Sequence, residues 1–230
     1  AYTAFGTAMH DTCEVLLEEK KNKKNNISKK PDSYFRQRFE EHLDNLPEDV
    51  VLESDLVEGM YTQGNLLANN IILSLDECFD DYEVISIEEK LLEPIKDYVK
   101  TKYDFKGYID LVIKTQDGKY HIIDWKTCSW GWDSRRKSDK ITNYQLTLYK
   151  YYFANKYNID PSLIETHFAL LKRTAKKNII EIFRVTSGKQ KTENAVKLIK
   201  NMLYNVTKKN YIKNRMACKY CEFYKTEYCP

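Results

Sequence analysis

Residues 107–126 read GYIDLVIKTQDGKYHIIDWK, and this stretch decides the fold of the chain. Two apolar runs separated by an Asp-Gly pair predict two β-strands joined by a tight turn. Because residues two apart in a strand share a face, Asp124 and Lys126 should project together. Asp110 on the first strand should bring a second carboxylate to the same place. Two carboxylates beside an ammonium suit a divalent metal and a phosphate, although a polar hairpin end bridged by Lys126 would also explain them.

Hydrophobic periodicity elsewhere predicts a single α/β domain spanning residues 1–230. It divides into a helical part at 1–80, a core at 81–207 and a Cys-rich tail at 208–230. The charged stretch 20–30 should be a solvated loop. We predict helices over 7–21, 33–46, 54–79, 138–157 and 187–206, the last capped by Ser187, and strands over 82–92, 106–115, 119–126, 165–173 and 178–185.

Composition limits the setting and the partners of the chain. Hydrophobic residues make up 42% of it, but no apolar run is long enough for a membrane span, so no membrane partner is expected. No signal-peptide pattern is visible, which favours a cytoplasmic location. The six Cys then indicate reduced thiols or a metal site and not disulfides. The formal net charge of +3 is too small to decide about nucleic acid.

The clustered polar residues fit phosphodiester hydrolysis. That reaction needs an activated water, neutralised phosphate charge and a stabilised leaving oxygen, which Mg²⁺ or Mn²⁺ held by carboxylates can supply. Asp110 and Asp124 are candidate ligands because these hard cations prefer oxygen, and Lys126 is the candidate charge stabiliser. Gly6 and His10 are one helical turn apart, and the imidazole of His10 would favour Mn²⁺ over Mg²⁺. A lone helical His is, however, more often an ordinary polar residue.

Gln145 and Tyr149 form an i,i+4 pair on the helix that follows the hairpin. An amide and a phenol on one helical face can hold a catalytic group or bind a nucleic-acid backbone. The alternative is a packed aromatic helix, which the neighbouring aromatic residues would explain by themselves.

The loop at 129–137 follows the candidate lysine directly and combines aromatic with basic residues. Trp130 and Trp132 could stack on bases, and Arg135, Arg136 and Lys137 could meet phosphates. These residues predict a path for DNA. The alternative is a solvated loop in which one Trp is anchored in the core.

Taken in order, these motifs resemble the PD-(D/E)XK nuclease superfamily, and most of all its RecB-type branch, with CRISPR-adaptation nucleases and phage exonucleases. The resemblance implies a restriction-endonuclease-like core, with a central mixed sheet flanked by helices. The motifs that carry it are Gly6-x3-His10, Glu88, Gly107-x2-Asp110, Asp124-Trp125-Lys126-Thr127 and Gln145-x3-Tyr149.

The resemblance also implies a role for each residue. The metal ligands would be His10, Asp110, Asp124 and the backbone carbonyl of Trp125. Lys126 would be catalytic, while Gln145 and Tyr149 would orient Lys126 or contact DNA. Glu88 matches an additional acid on the preceding strand. Glu89 is the alternative, because the sequence does not show which of the two adjacent side chains faces the site.

The Cys-rich tail resembles the iron–sulfur end of several members of this branch. Cys218, Cys221 and Cys229 would share a [4Fe–4S] cluster with a fourth Cys before the first helix, but no Cys precedes Gly6 here. A zinc ion, a vestigial site or packed reduced thiols are the alternatives. We expect the three thiols to converge in space.

These expectations combine into one functional prediction. The chain should be a metal-dependent deoxyribonuclease, and an exonuclease acting on DNA ends is preferred because the branch it resembles is dominated by such enzymes. A structure-specific endonuclease and a catalytically silent nucleic-acid-binding module are the alternatives. A phage origin would place the protein in the host cytoplasm, and the sequence does not identify protein partners.

Overall fold

A computed structural model describes residues 1–22, 30–95, 103–210, 212 and 215–229. Its centre is a five-stranded mixed sheet in which the strands lie side by side in chain order. Only β3 and β4 run parallel, and the other neighbours are antiparallel. The strands are β1 (Tyr82–Pro94), β2 (Asp104–Thr115), β3 (Tyr120–Cys128), β4 (Ile164–Lys172) and β5 (Ile180–Val185).

Helices flank the sheet on both faces. Parallel strands need a crossover, and α6 supplies it between β3 and β4. The helices are α1 (Tyr2–Lys21), α2 (Pro31–Asp44), α3 (Ser54–Ala68), α4 (Ile71–Phe79), α5 (Ser134–Lys137), α6 (Lys140–Tyr157) and α7 (Lys189–Thr207), with 3-10 turns at Pro161–Leu163 and Arg215–Tyr220. No helix among the described residues is long and apolar enough to cross a bilayer.

The alternation of side chains along β3 separates two hydrophobic cores. Ile123 and Trp125 pack with the residues of helices α1 to α4 on one face. Ile122 packs on the other face with Leu146 of α6. Because both faces are covered, the molecule is a three-layer α/β structure, and the predicted mixed sheet flanked by helices is confirmed.

The prediction of one helix over 54–79 is wrong, because α3 ends before α4 begins at Ile71. Two consecutive asparagines lie at the break. Asn69 donates from Nδ2 to the backbone oxygen of Asn65 at 2.9 Å, and Asn70 does the same to Leu66 at 2.7 Å. Side-chain amides that compete for backbone groups weaken a helix, and this explains the break.

Two helix starts also differ from expectation. Gly188, and not Ser187, is the N-cap of α7, because the Ser187 hydroxyl lies 2.8 Å from Thr147 Oγ1 and is used there. Helix α6 begins at Lys140 instead of residue 138, because the Asp139 carboxylate accepts a hydrogen bond from the backbone N–H of Thr142. The expected loop at 20–30 lies mostly outside the described residues.

Candidate active site

Asp110 and Asp124 lie opposite each other where β2 and β3 separate. The ladder between these strands ends at the pair Leu111 and Ile123, one residue before both acids. Beyond it, the backbone N–H of Trp125 donates to Asp110 Oδ2 at 2.7 Å. The hairpin thus brings the two carboxylates together, as the sequence predicted.

Burial makes it unfavourable for both carboxyl groups of this pair to be ionised at the same time. Burial and then the neighbouring Asp124 carboxylate raise the pKa of Asp110 to about 8. Burial also raises the pKa of Asp124, which is only 1% exposed, and the Lys126 ammonium opposes that shift. Two buried carboxylates that both ionise need nearby positive charge, which a bound divalent cation supplies.

Lys126 and Gln145 both reach Asp124, each on a different oxygen. Lys126 Nζ lies 2.6 Å from Asp124 Oδ2, and Gln145 donates from Nε2 to Asp124 Oδ1 at 2.8 Å. Among the described residues, the Lys126 ammonium is therefore the partner of Oδ2, and it offsets the charge of this buried carboxylate. A divalent cation bound at Oδ2 would take over the charge compensation that Lys126 supplies there.

Helix α1 adds His10 to the two acids. His10 Nδ1 lies 3.7 Å from Asp110 Oδ2. Burial and the positive charge of Lys126 lower the pKa of His10, which favours the neutral imidazole that metals bind. The spacing Gly6-x3-His10 has a steric reason, because a Cβ at Gly6 would lie 3.2 Å from Thr127 Oγ1.

The additional acid is Glu88 and not Glu89. The register of β1 and β2 pairs the two neighbours of Glu88 with the two neighbours of Asp110, so Glu88 lies opposite Asp110. Its φ of 49° is in the left-handed region, which non-glycine residues seldom adopt outside constrained sites. Glu89 instead pairs with Lys156 at 2.6 Å, on the last turn of α6.

Two acids of α1 extend this negative patch. Burial and then the charges of Glu14 and Asp11 raise the pKa of Glu88. Asp11 is a residue that the sequence analysis missed. Its position next to His10 was a signal, but adjacent helical residues point in different directions, and the Asp11 carboxylate also lies 2.9 Å from His42 Nε2.

Gln145 and Tyr149 share one face of α6, as predicted. Gln145 Nε2 also lies 3.2 Å from the Tyr149 hydroxyl, so the phenol helps to orient the amide. The Tyr149 ring packs on Gly107, where a Cβ would come within 2.8 Å of Tyr149 Cε1. Gln145 therefore contacts Asp124 directly, whereas the resemblance implied that it orients Lys126 or contacts DNA.

The two tryptophans of the loop at 129–137 have different surroundings. Trp130 is 73% exposed, and its rings are available to a ligand. Trp132 is 7% exposed and packs on the rings of Phe168 and Phe183. Trp132 is therefore a core residue, and this corrects the expectation that it stacks on bases.

The three basic residues of this loop also differ. Arg135 and Arg136 are exposed, with the Arg136 guanidinium 4.7 Å from the Trp132 ring centre. Lys137 is ion-paired and hydrogen-bonded to Glu181. Its charge is therefore already compensated, and Arg135 and Arg136 are the better phosphate contacts.

A cavity of about 360 Å³ lies beside the end of β3 and contains a basic residue that the sequence analysis did not select. Arg173 lies 4.2 Å from the Tyr2 ring centre and donates to Ser129 Oγ at 2.7 Å. Trp130 and Arg136 line the same cavity. Because Arg173 is distant in sequence from the loop, only the pairing of β3 with β4 brings it here.

The tail cysteines do not converge in the part of the chain that the structure describes. Cys218, Cys221 and Cys229 are free thiols, and they are not a group of three within coordinating distance of one another. The backbone N–H of Cys221 donates to the carbonyl of Cys218 at 3.0 Å, which closes a local turn. Cys13, the thiol nearest His10, is buried in the core, which raises its pKa. The three thiols are therefore not close enough together here to share a single ion, and a cluster at the tail stays a prediction.

Comparison with known proteins identifies the family and the fold. The model of the PD-(D/E)XK nuclease superfamily matches residues 1–230. No curated protein matches the chain. The fold is similar to a solved structure from Eubacterium rectale described as "Putative exonuclease", with a TM-score of 0.50, 14% identity and coverage of 83% of this chain and 69% of that one. The crystal structure of SSO0001 is also similar, with a TM-score of 0.44, 20% identity and coverage of 82% and 90%.

Proposed function

This chain belongs to the PD-(D/E)XK nuclease superfamily, and on that premise we propose that it is a metal-dependent deoxyribonuclease that works from DNA ends. Its substrate class is nucleic acid, as for the superfamily. The observation that carries the proposal is the meeting of Asp110, Asp124 and Lys126 where the pairing of β2 with β3 stops. The order of the motifs along the chain supports a place in the RecB-like branch.

The donor set fits a hard divalent cation such as Mg²⁺ or Mn²⁺. Asp110, Asp124, the backbone carbonyl of Trp125 and the His10 imidazole would hold it. The observation that supports the fit is the buried Asp124 carboxylate beside Asp110, whose Oδ2 lies 3.7 Å from His10 Nδ1. When bound, such an ion lowers the pKa of a water and neutralises phosphate charge.

The remaining residues of the site orient the metal ligands, stabilise charge on the phosphate or accept a proton. Lys126 carries a fixed positive charge beside Asp124, where it can stabilise negative charge that develops on a phosphate oxygen. Gln145 holds the Asp124 carboxylate in one orientation. Glu88 adds an acid opposite Asp110 and can accept a proton, because its pKa is raised by burial and by Glu14 and Asp11.

The surface beside the site supplies the contacts that a nucleic acid needs. Arg135 and Arg136 offer exposed charge for phosphates, and Arg173 lies in the adjoining cavity with Trp130. The exposed Trp130 can stack on an unpaired base. We propose that the path of DNA runs over these residues towards Lys126.

Degradation of DNA with and without ends tests the proposal. The protein with Mn²⁺ should degrade linear duplex DNA and leave covalently closed circles intact. Cleavage of both forms would favour the structure-specific endonuclease. Binding of DNA without cleavage, with Mg²⁺ and with Mn²⁺, would favour the catalytically silent nucleic-acid-binding module and contradict the proposed enzyme activity.

A [4Fe–4S] cluster or a zinc ion at Cys218, Cys221 and Cys229 is a separate proposal, and the cysteine spacing is what supports it. Anaerobically purified protein would then be brown with bound iron and sulfide, or colourless with bound zinc. Protein with none of these elements bound to the tail thiols would contradict it.

A further inference from the structure

We propose that His121, Glu165 and His167 form a second metal site, for a borderline divalent cation of the zinc type, away from the nuclease site. The three residues lie on the central parallel strands β3 and β4. One ligand atom from each lies within 4.8 Å of the other two. Two imidazoles and a carboxylate are a donor set that such a cation prefers.

The strand register builds this cluster. His121 pairs with Glu165, and Ile123 pairs with His167, so the alternation of side chains puts all three donors on one face of the sheet. His121 Nδ1 lies 3.1 Å from His167 Nε2 and 4.0 Å from Glu165 Oε2. Tetrahedral zinc with bonds of about 2.0–2.1 Å separates its ligand atoms by about 3.3 Å, so small side-chain rotations suffice.

The surroundings hold the cluster in a form that can bind a cation. Glu165 Oε1 is occupied by Lys119 at 3.5 Å and by Arg184 at 3.3 Å, and this leaves Oε2 facing the histidines. Burial and then the neighbouring His121 lower the pKa of His167 to about 3. Burial is also the largest cause that lowers the pKa of His121, so the neutral imidazole that ligates metals is favoured at both rings.

This cluster is separate from the nuclease site. His121 lies near the start of β3 and on the face of Ile123, whereas Asp124 lies further along and projects to the other face. His121 lines a cavity of about 600 Å³ that also contains the side chains of Cys78 and Asp117. The cavity gives a cation a path to His121 and leaves room beside it for a water as the fourth ligand.

The plain alternative is a hydrogen-bonded pair of histidines that packs on an aromatic ring. The ring of Phe79 lies 4.9 Å from His121 and 5.1 Å from His167, and Thr115 Oγ1 lies 3.1 Å from His121 Nε2. This alternative explains the positions of the two histidine rings but gives Glu165 Oε2 no role. Metal binding distinguishes the two.

Cobalt(II) is the probe, because its absorption distinguishes thiolate ligands from nitrogen and oxygen ligands. The background is the full chain with Cys218, Cys221 and Cys229 changed to Ser and Asp124 to Asn, which removes the tail thiols and an acid of the nuclease site. We expect it to bind Co²⁺ with ligand-field bands and no thiolate charge-transfer band. His167→Gln and Glu165→Gln should each weaken that binding at least about tenfold, as loss of a ligand or its support does.

His42→Gln is the matched control, since it removes a histidine outside the cluster and should leave Co²⁺ affinity unchanged. Thermal unfolding without metal checks that the variants fold. If His167→Gln does not fold, Glu165→Gln provides the test. A background protein that binds no Co²⁺, or folded variants that bind it like the background, would overturn the proposal.

Discussion

Gln145 donates a hydrogen bond to Asp124 across 2.8 Å, and this contact connects helix α6 to the middle of β3. The donor has a second contact, with the Tyr149 hydroxyl at 3.2 Å. A buried carboxylate that keeps one oxygen fixed presents the other in a constant direction. Gln145 is therefore a positioning residue for a metal ligand.

Gln145→Ala should lower the cleavage rate and raise the Mn²⁺ concentration needed for half-maximal activity by about 10–100-fold, the usual cost of losing an outer partner of a metal ligand. Tyr149→Phe is the control, because it keeps the ring that packs on Gly107 and removes only the weaker contact. Its effect should be smaller. A Mn²⁺ titration of Gln145→Ala that overlays the wild type would remove the positioning role.

Asp110→Asn should stabilise the metal-free protein at high pH. The pKa of this carboxyl is about 8 in the folded chain and about 3.9 in the unfolded chain, so the native state binds more protons between these values. Its contribution is therefore full below about pH 4 and is lost as pH rises towards about 8. Near pH 8 in a chelator, the Asn variant should melt higher by about 2–4 °C for each kcal/mol gained.

The control for this prediction is the same comparison near pH 4, where the wild-type carboxyl is protonated in the folded chain and about half protonated in the unfolded chain, so that the two proteins should melt at similar temperatures. Saturating Mn²⁺ should reverse the order near pH 8, since only the carboxylate is a metal ligand. A melting difference that does not change with pH would show that Asp110 is not a strained acid.

Gly64→Ala should destabilise the helical part, because a Cβ there would overlap the buried ring of Phe35. Overpacking of this kind costs about 1–3 kcal/mol. Gly59→Ala on the same helix is the control, since a Cβ there meets no atom within 4 Å, and it should stabilise the protein by about 0.5–1 kcal/mol. Denaturant unfolding measures both changes, and equal effects would contradict the packing of α2 on α3.

Trp130→Ala and Trp132→Ala should separate DNA binding from stability. The first should weaken binding to single-stranded DNA by about 1–3 kcal/mol with no change in Tm, because Trp130 is exposed. The second should lower the free energy of unfolding by about 3–5 kcal/mol, because Trp132 is buried against Phe168. Unchanged DNA affinity in Trp130→Ala would contradict the proposal that DNA contacts this loop.

The sequence predicts best where one local rule decides the outcome. Side chains alternate along a strand, so the common face of Asp124 and Lys126 followed from their spacing and is seen in the 2.6 Å contact. The same rule could not choose between Glu88 and Glu89 until the register of β1 and β2 was known. The break at Asn69 and Asn70 depends on side-chain hydrogen bonds that hydrophobic periodicity does not record.

Contacts between segments that are distant in the chain could not be predicted from the sequence. Arg173 reaches the loop at 129–137 only because β3 pairs with β4. His121 lies inside an apolar run and gave no signal of a partner in β4, although its ring lies 3.1 Å from that of His167. The burial of Trp132 depends on Phe168 and Phe183, which the chain brings together only in the folded sheet.

The most direct test of the nuclease site is the rate of Mn²⁺-dependent cleavage of linear DNA by Lys126→Gln, which keeps most of the side-chain length and removes the charge. We predict a loss of at least about 10²–10³-fold, the scale of removing one group that stabilises developing charge. The variant should still unfold in one cooperative transition, with a lower Tm without metal, because it removes the charge that offsets the buried Asp124 carboxylate. A folded Lys126→Gln protein that cleaves at close to the wild-type rate would contradict the assignment.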